Sequence, residues 1–199
     1  MSGVVYTIGH SNGTVERFVE LLRLHGITAI ADVRSRPYSR FNPQFNREAL
    51  AAELKSYGLE YVFLGQELGA RSEDPTCYRN GRALYSLIAR TAVFERGIHR
   101  LFSGMGRFQV AIMCAEKEPL ACHRSILVSR YLHERGVKVH HILEDGRLED
   151  HDTSLSRLLA IHGMQETHLF HSRGELIKIA YEKQAEDIQY SETQTSQTA

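Results

Sequence analysis

The chain has 199 residues, 42% hydrophobic and 24% charged, which suits one globular domain with a sizeable core and little room for a second. Its 24 basic residues balance 24 acidic ones, so no global field draws it to nucleic acid or anionic lipid, and any anion binding must be local. No apolar stretch approaches the roughly 20 residues that span a bilayer, and MSGVVYTIGH lacks a secretory pattern. Cys77, Cys114 and Cys122 form an odd set without disulfide-framework spacing, and these features together predict a cytoplasmic protein with reduced thiols.

In chain order, Val4 to Ile8 is a short β-branched strand, interrupted by Gly9 and followed by Thr14 as the N-cap of a helix reaching about His25. Gly26 stops that helix, and Ile27 to Val33 is a second strand. A breaker-rich loop from Ser35 follows, then a helix from about Asn46 to Tyr57 with Leu50 and Leu54 inward, and a third strand over Tyr61 to Leu64. Beyond an irregular polar stretch to Cys77, the pattern predicts a helical region from Tyr78 to Phe102 that breaks near Gly97. Gln109 to Met113 is the fourth strand, Ser125 to Glu134 a helix, and Val137 to Leu143 the fifth strand. Ser154 to His162 and Glu175 to Gln184 suggest two further helices.

The alternation predicts a three-layer α/β fold, with a mainly parallel five-stranded sheet and helices on both faces. It divides the chain into an α/β core over 1–150, a helical extension over 151–185 and a polar, disordered tail over 186–199. There is no internal repeat.

Four apolar runs break into reactive side chains at their carboxyl ends: Gly9-His10-Ser11-Asn12, Asp32-Val33-Arg34, Gly65-Gln66-Glu67, and Cys114-Ala115-Glu116 leading into Cys122-His123-Arg124. In an open parallel sheet those ends lie side by side and ligands bind in the crevice beyond them, so these groups are expected to converge. A carboxylate ending a buried strand is expensive to leave unpaired, so Asp32 should face Arg34, Arg124, His10, a metal or a ligand. Asp32 and Glu67 are the candidate acid/base pair, and His10 and Cys122 the candidate nucleophile or proton carrier.

If Cys122 and His123 open a helix, its free N–H groups favour an anion there, and Arg124 adds a planar donor fork. The competing reading is inert packing, since free cysteine is among the most buried residue types. Candidate substrate-binding groups are Ser11, Asn12, Arg34, Arg36, Asn46, Arg71, Glu116, His123 and Arg124. Ser11 or Asn12 as a helix cap, and His10 as a satisfied buried imidazole, are the structural alternatives.

The joint set TIGHSN, DVRSRPYSRFNPQFN, YVFLGQELGAR, MCAEKEPLACHR and VHHILEDG resembles the motifs of a prokaryotic family known as domain of unknown function 488. The resemblance runs from about Val5 to Gly146. It implies an α/β domain and carries over His10, Ser11, Asp32, Arg34, Pro37, Asn46, Gly65, Glu67, Leu68, Gly69, Cys114, Glu116, Cys122, His123 and Arg124, but it brings no established reaction. Ala70 stands where members often have a second glycine.

The expectation is an enzyme acting on a small anionic metabolite, a nucleotide or nucleobase derivative, by hydrolysis or group transfer. No Gly-x-Gly-x-x-Gly or phosphate-loop lysine motif is present to hold a dinucleotide or ATP, so the cofactor is unknown and no metal ligand is assigned. Three readings compete. One is a nucleic-acid-associated protein taking a strand end or flipped base, less favoured given the neutral charge. The others are a metal module built from Cys114, Cys122, His123 and His10, and sulfur transfer at Cys122.

Overall fold

The computed structural model describes residues 3–166 and 170–191. β1 (Val4–Gly9) leads into α1 (Val15–Leu24), β2 (Ala29–Asp32), α2 (Arg47–Ser56), β3 (Glu60–Phe63) and the one-turn α3 (Gly65–Leu68). A small hairpin, β4 (Tyr78–Arg79) and β5 (Arg82–Ala83), precedes α4 (Tyr85–Ile88) and α5 (Ala92–Met105). After β6 (Val110–Cys114), a π-helical turn over Arg124–Ser129 runs straight into α6 (Arg130–His133). The chain then forms β7 (Lys138–Ile142), β8 (Leu148–Asp150), α7 (His151–Ile161) and α8 (Arg173–Ile188).

The main sheet has the order β3-β2-β6-β1-β7-β8, with β8 antiparallel to β7 and every other neighbouring pair parallel. The α/β reading therefore holds with six strands in place of five. The sixth is three residues of mostly polar sequence, returned by a turn in which Gly146 adopts φ +88° and Leu143 N–H donates to the Arg147 carbonyl at 2.9 Å.

Helices lie on both faces because connections leave the sheet in two directions. From β1 through β2 to β3 the chain steps one way, burying Phe18, Leu22, Leu50 and Leu54 of α1 and α2 against Ile8, Ile30, Ala111 and Met113. From β3 through β6 to β7 it steps back. Right-handed crossovers then place α5 and the π-helical turn on the opposite face, where Phe94, Leu101 and Leu127 share a core with Val5, Ala31, Ile112 and Val139. Leu155, Leu158, Leu176 and Tyr181 of α7 and α8 belong to that same core. The connections from adjacent β1 and β6 diverge to opposite faces, which opens a crevice beyond their carboxyl ends.

Two expectations are corrected. The region from Tyr78 to Phe102 is not one broken helix: Asn80 (φ 51°) and Gly81 (φ 73°) form a tight hairpin turn, and Gly97 lies inside α5. A Cβ at Gly97 would stand 2.5 Å from Glu67 Cβ and 2.8 Å from Leu68 Cδ2, so its absence lets α5 close onto α3. Residues 186–191 are ordered: α8 runs to Ile188, the Tyr190 carbonyl accepts from Ala83 N–H at 3.0 Å, and Ser191 bridges to Arg82. Residues 192–199 of the expected tail lie outside the described residues.

Candidate active site

Strand register brings the polar strand ends to one level. Gly9 lies opposite Cys114, and Asp32 opposite Met113. The ladder continues past the strands as His10 and Ser11 N–H donate to the carbonyls of Cys114 (3.0 Å) and Ala115 (2.9 Å). A Cβ on Gly9 would meet the Glu116 carbonyl oxygen at 1.9 Å, so only glycine lets the Glu116-Lys117 loop approach β1 this closely.

Two polar clusters stand side by side at these ends. In the first, the buried Asp32 carboxylate accepts from Arg34 Nε (2.9 Å), Nη2 (2.7 Å) and backbone N–H (3.0 Å), and from the Tyr61 hydroxyl (2.6 Å). Arg34 Nη2 also donates to the Phe45 carbonyl at 2.8 Å, and Nη1 lies 3.2 Å from His10 Nε2. His10 Nδ1, 2.7 Å from the Ser11 carbonyl, must be the protonated nitrogen, leaving Nε2 to accept from Arg34. Burial, reinforced by the Arg34 charge, lowers its pKa to about 4, so it is neutral, with its ring stacked 4.2 Å from that of Phe45. The Asp32 carboxylate thus has its cation and a phenol, and His10 is held at both ring nitrogens.

The second cluster surrounds two thiols. Cys114 ends β6, and Cys122 and His123 directly precede the π-helical turn. Both Sγ atoms lie 3.0 Å from Glu116 Oε2, and 3.7 and 3.8 Å from His123 Nδ1. His123 Nε2, 3.0 Å from the Val33 carbonyl, donates there, so Nδ1 is the nitrogen that faces the sulfurs; burial opposes its protonation, but Cys122 and Glu116 raise its pKa. Burial opposes ionisation of Cys122, but the Cys114 thiol, Arg124 and His123 overcome it and hold the Cys122 thiol well below the ordinary range. The neighbouring Cys122 side chain and burial hold the Cys114 thiol well above it. Burial and the neighbouring Cys122 likewise raise the Glu116 carboxyl.

This second cluster opens onto a cleft of about 320 Å³. Cys114, Glu116, Cys122 and His123 line it together with Arg34, Arg36 and Arg71, and Tyr85, Ile188, Gln189 and Tyr190 also contribute. Arg36 is exposed, and the Arg71 guanidinium stacks 4.0 Å over the Tyr190 ring.

Several sequence candidates fall elsewhere. Asp32 is saturated by Arg34 and Tyr61 and does not line the cleft; nor does Glu67, which pairs with Arg100 of α5. They do not form an acid/base pair there, since each carboxylate already has its cation. Arg124 is fully buried and spends its Nη groups on the Glu116 and Lys117 carbonyls, so it shapes the loop rather than meeting an anion. Ser11, in a left-handed conformation (φ 52°), lines a separate 220 Å³ depression with His10, Lys117 and Glu144. Asn12 accepts from Asn42 Nδ2 at 3.1 Å and Asn46 from Ser39 N–H at 2.7 Å, pinning the loop before α2. His10 is engaged in the first cluster and does not join the thiols. The sequence reading missed Tyr85 and the wall formed by Ile188 to Tyr190; the apolar spacing of α8 was visible, but not its return to β5.

Fold and site thus define an α/β protein with a thiol, carboxylate and imidazole cluster at a crevice beyond the parallel strand ends. The chain belongs to the family described as Domain of unknown function DUF488, whose model matches residues 14–131, a span holding both clusters except His10. No curated protein and no solved structure matches it. Among the described residues, no helix is long and apolar enough to cross a membrane.

Proposed function

We propose that the protein is an enzyme acting on a small anionic metabolite, a nucleotide or nucleobase derivative, by hydrolysis or group transfer at the Cys114, Glu116, Cys122 and His123 cluster. The reading is carried by one observation: these groups floor a cleft whose mouth holds Arg36 and Arg71. Guanidinium forks suit phosphate or carboxylate, and the Tyr85 and Tyr190 rings suit a flat base. A cleft of about 320 Å³ is the size of a small-molecule site and small for a folded strand of nucleic acid. Three free thiols accord with a reducing, cytoplasmic setting.

Isothermal titration of a nucleotide and nucleobase panel tests this. Arg36→Ala and Arg71→Ala should each weaken binding by about tenfold or more, roughly 1.4 kcal/mol. The exposed Arg36→Ala should leave stability within about 0.5 kcal/mol. No heat with any member of the panel would remove this substrate class. Salt-dependent binding of single-stranded DNA instead would favour the nucleic-acid reading.

A further inference from the structure

We propose that Cys114, Cys122 and His123 hold a zinc ion and that Glu116 is the base for a water on its fourth face. Sγ of Cys114, Sγ of Cys122 and a ring nitrogen of His123 all lie within 4.8 Å of one another, and the two sulfur-to-Nδ1 separations are 3.7 and 3.8 Å. A tetrahedral zinc with its ordinary bond lengths sets sulfur and nitrogen ligands roughly 3.5–3.8 Å apart. Two thiolates and an imidazole are a donor set that selects zinc over magnesium or calcium.

The surroundings are those of a metal site. The His123 Nε2 proton is held by the Val33 carbonyl, which fixes the tautomer and aims Nδ1 at the sulfurs. Arg124 N–H lies 3.4 Å from Cys122 Sγ, the kind of amide contact that stabilises a ligating thiolate. All three ligands are buried and sit at the end of β6 or the start of the π-helical turn, so little reorganisation is needed.

Among the described residues three protein ligands converge, and all three line the cleft, which leaves it as the side for a fourth ligand. Glu116 is the one member of the cluster whose residue reaches solvent, although its carboxyl end is turned in to the sulfurs, and with metal in place that carboxylate would accept a proton from water. This pattern of three ligands, one open position and a neighbouring carboxylate marks a hydrolytic rather than a purely structural zinc. In the step, Glu116 takes one proton from the bound water as its oxygen bonds to the electrophilic centre of the substrate. The bond to the leaving group then breaks, the electron pair departs with that group, and Glu116 returns the proton to it. No oxidant or further co-reactant is needed.

The hydrolytic step rests on the function proposed above; metal occupancy does not. Untagged full-length protein purified without chelator should therefore carry close to one zinc per chain by elemental analysis. Cobalt added to the metal-free protein should give a thiolate charge-transfer band and the intense visible bands of a tetrahedral site. Cys114→Ser and Cys122→Ser should weaken metal binding by more than the roughly 10–100-fold typical of an outer partner. Glu116→Gln should keep the metal and the cobalt spectrum while abolishing turnover of any substrate found. Substoichiometric zinc, together with no cobalt spectrum from natively folded wild type, would overturn the proposal. Full zinc with no ligand binding would leave the metal site standing and remove the substrate class instead.

Discussion

The two polar clusters at the strand ends use similar chemistry to opposite effect. Around Asp32, a carboxylate, a guanidinium, an imidazole and a phenol bond to one another, with Asp32, Arg34 and His10 buried. Around Cys122, two thiols, a carboxylate and an imidazole nitrogen crowd together, both thiols directed at one Glu116 oxygen, and the set lines a cleft. A cluster that closes on itself is scaffold; one that lines a cleft is where a ligand completes the set. The distinction lies in how the hydrogen bonds close, because the residue types are nearly the same.

The sharpest way to break that comparison is Asp32→Ala, which strands the buried Arg34 charge. Loss of one partner from a buried pair should remove about 3–5 kcal/mol of stability, read from urea unfolding. Cys114→Ser in metal-free protein should shift the midpoint far less, and comparable losses in the two variants would erase the difference drawn here.

A second test uses acid. His10 is held to about 4 and His151 to about 3 by burial, and His141 well below its ordinary value for the same reason. His141 and His151 form a buried chain from the Thr7 hydroxyl to Tyr181, at 2.7, 2.9 and 2.7 Å, with Arg124 and Arg157 adding positive charge near His141. Each of these histidines is neutral when folded but takes a proton when unfolded once pH falls below about 6.5. The stability they contribute is therefore complete above that value and is lost towards pH 4, at up to about 1.4 kcal/mol per pH unit for each. Chemical denaturation at pH 7 and pH 5 measures it. Equal midpoints at the two pH values would show that these imidazoles are not held neutral.

The smallest expected effect probes how α3 is seated. Gly97→Ala favours helix but drives a methyl into Glu67 and Leu68, and overpacking of this kind costs about 1–3 kcal/mol. A melting temperature equal to or above that of wild type would mean that α3 yields easily.

Much of the fold was legible because its strands are short apolar runs bounded by glycine, and Leu50, Leu54, Phe18 and Leu22 fall at helical spacing. Asn80-Gly81 also announced its hairpin, but a long helical pattern around it masked the turn. The crevice followed from strand-end polarity. Which carboxylate served which role did not, because Asp32 and Glu116 differ in their partners rather than in their immediate sequence. The wall from Ile188 to Tyr190 was hidden for a related reason: its place depends on pairing with residues about a hundred positions earlier.

The π-helical turn from Arg124 to Ser129 has a further consequence. It amounts to one residue more than an α-helix would use over the same rise, its wide winding marked by Ser129 Oγ donating to the Arg124 carbonyl at 2.7 Å. Removing a single residue between 125 and 129 would let the segment relax to ordinary winding and rotate everything before it by about 100° relative to α6. Cys122 and His123 would swing away from Cys114 while the sheet and its helices kept their places. Chain length at this one point thus acts as a dial on whether the two thiols meet.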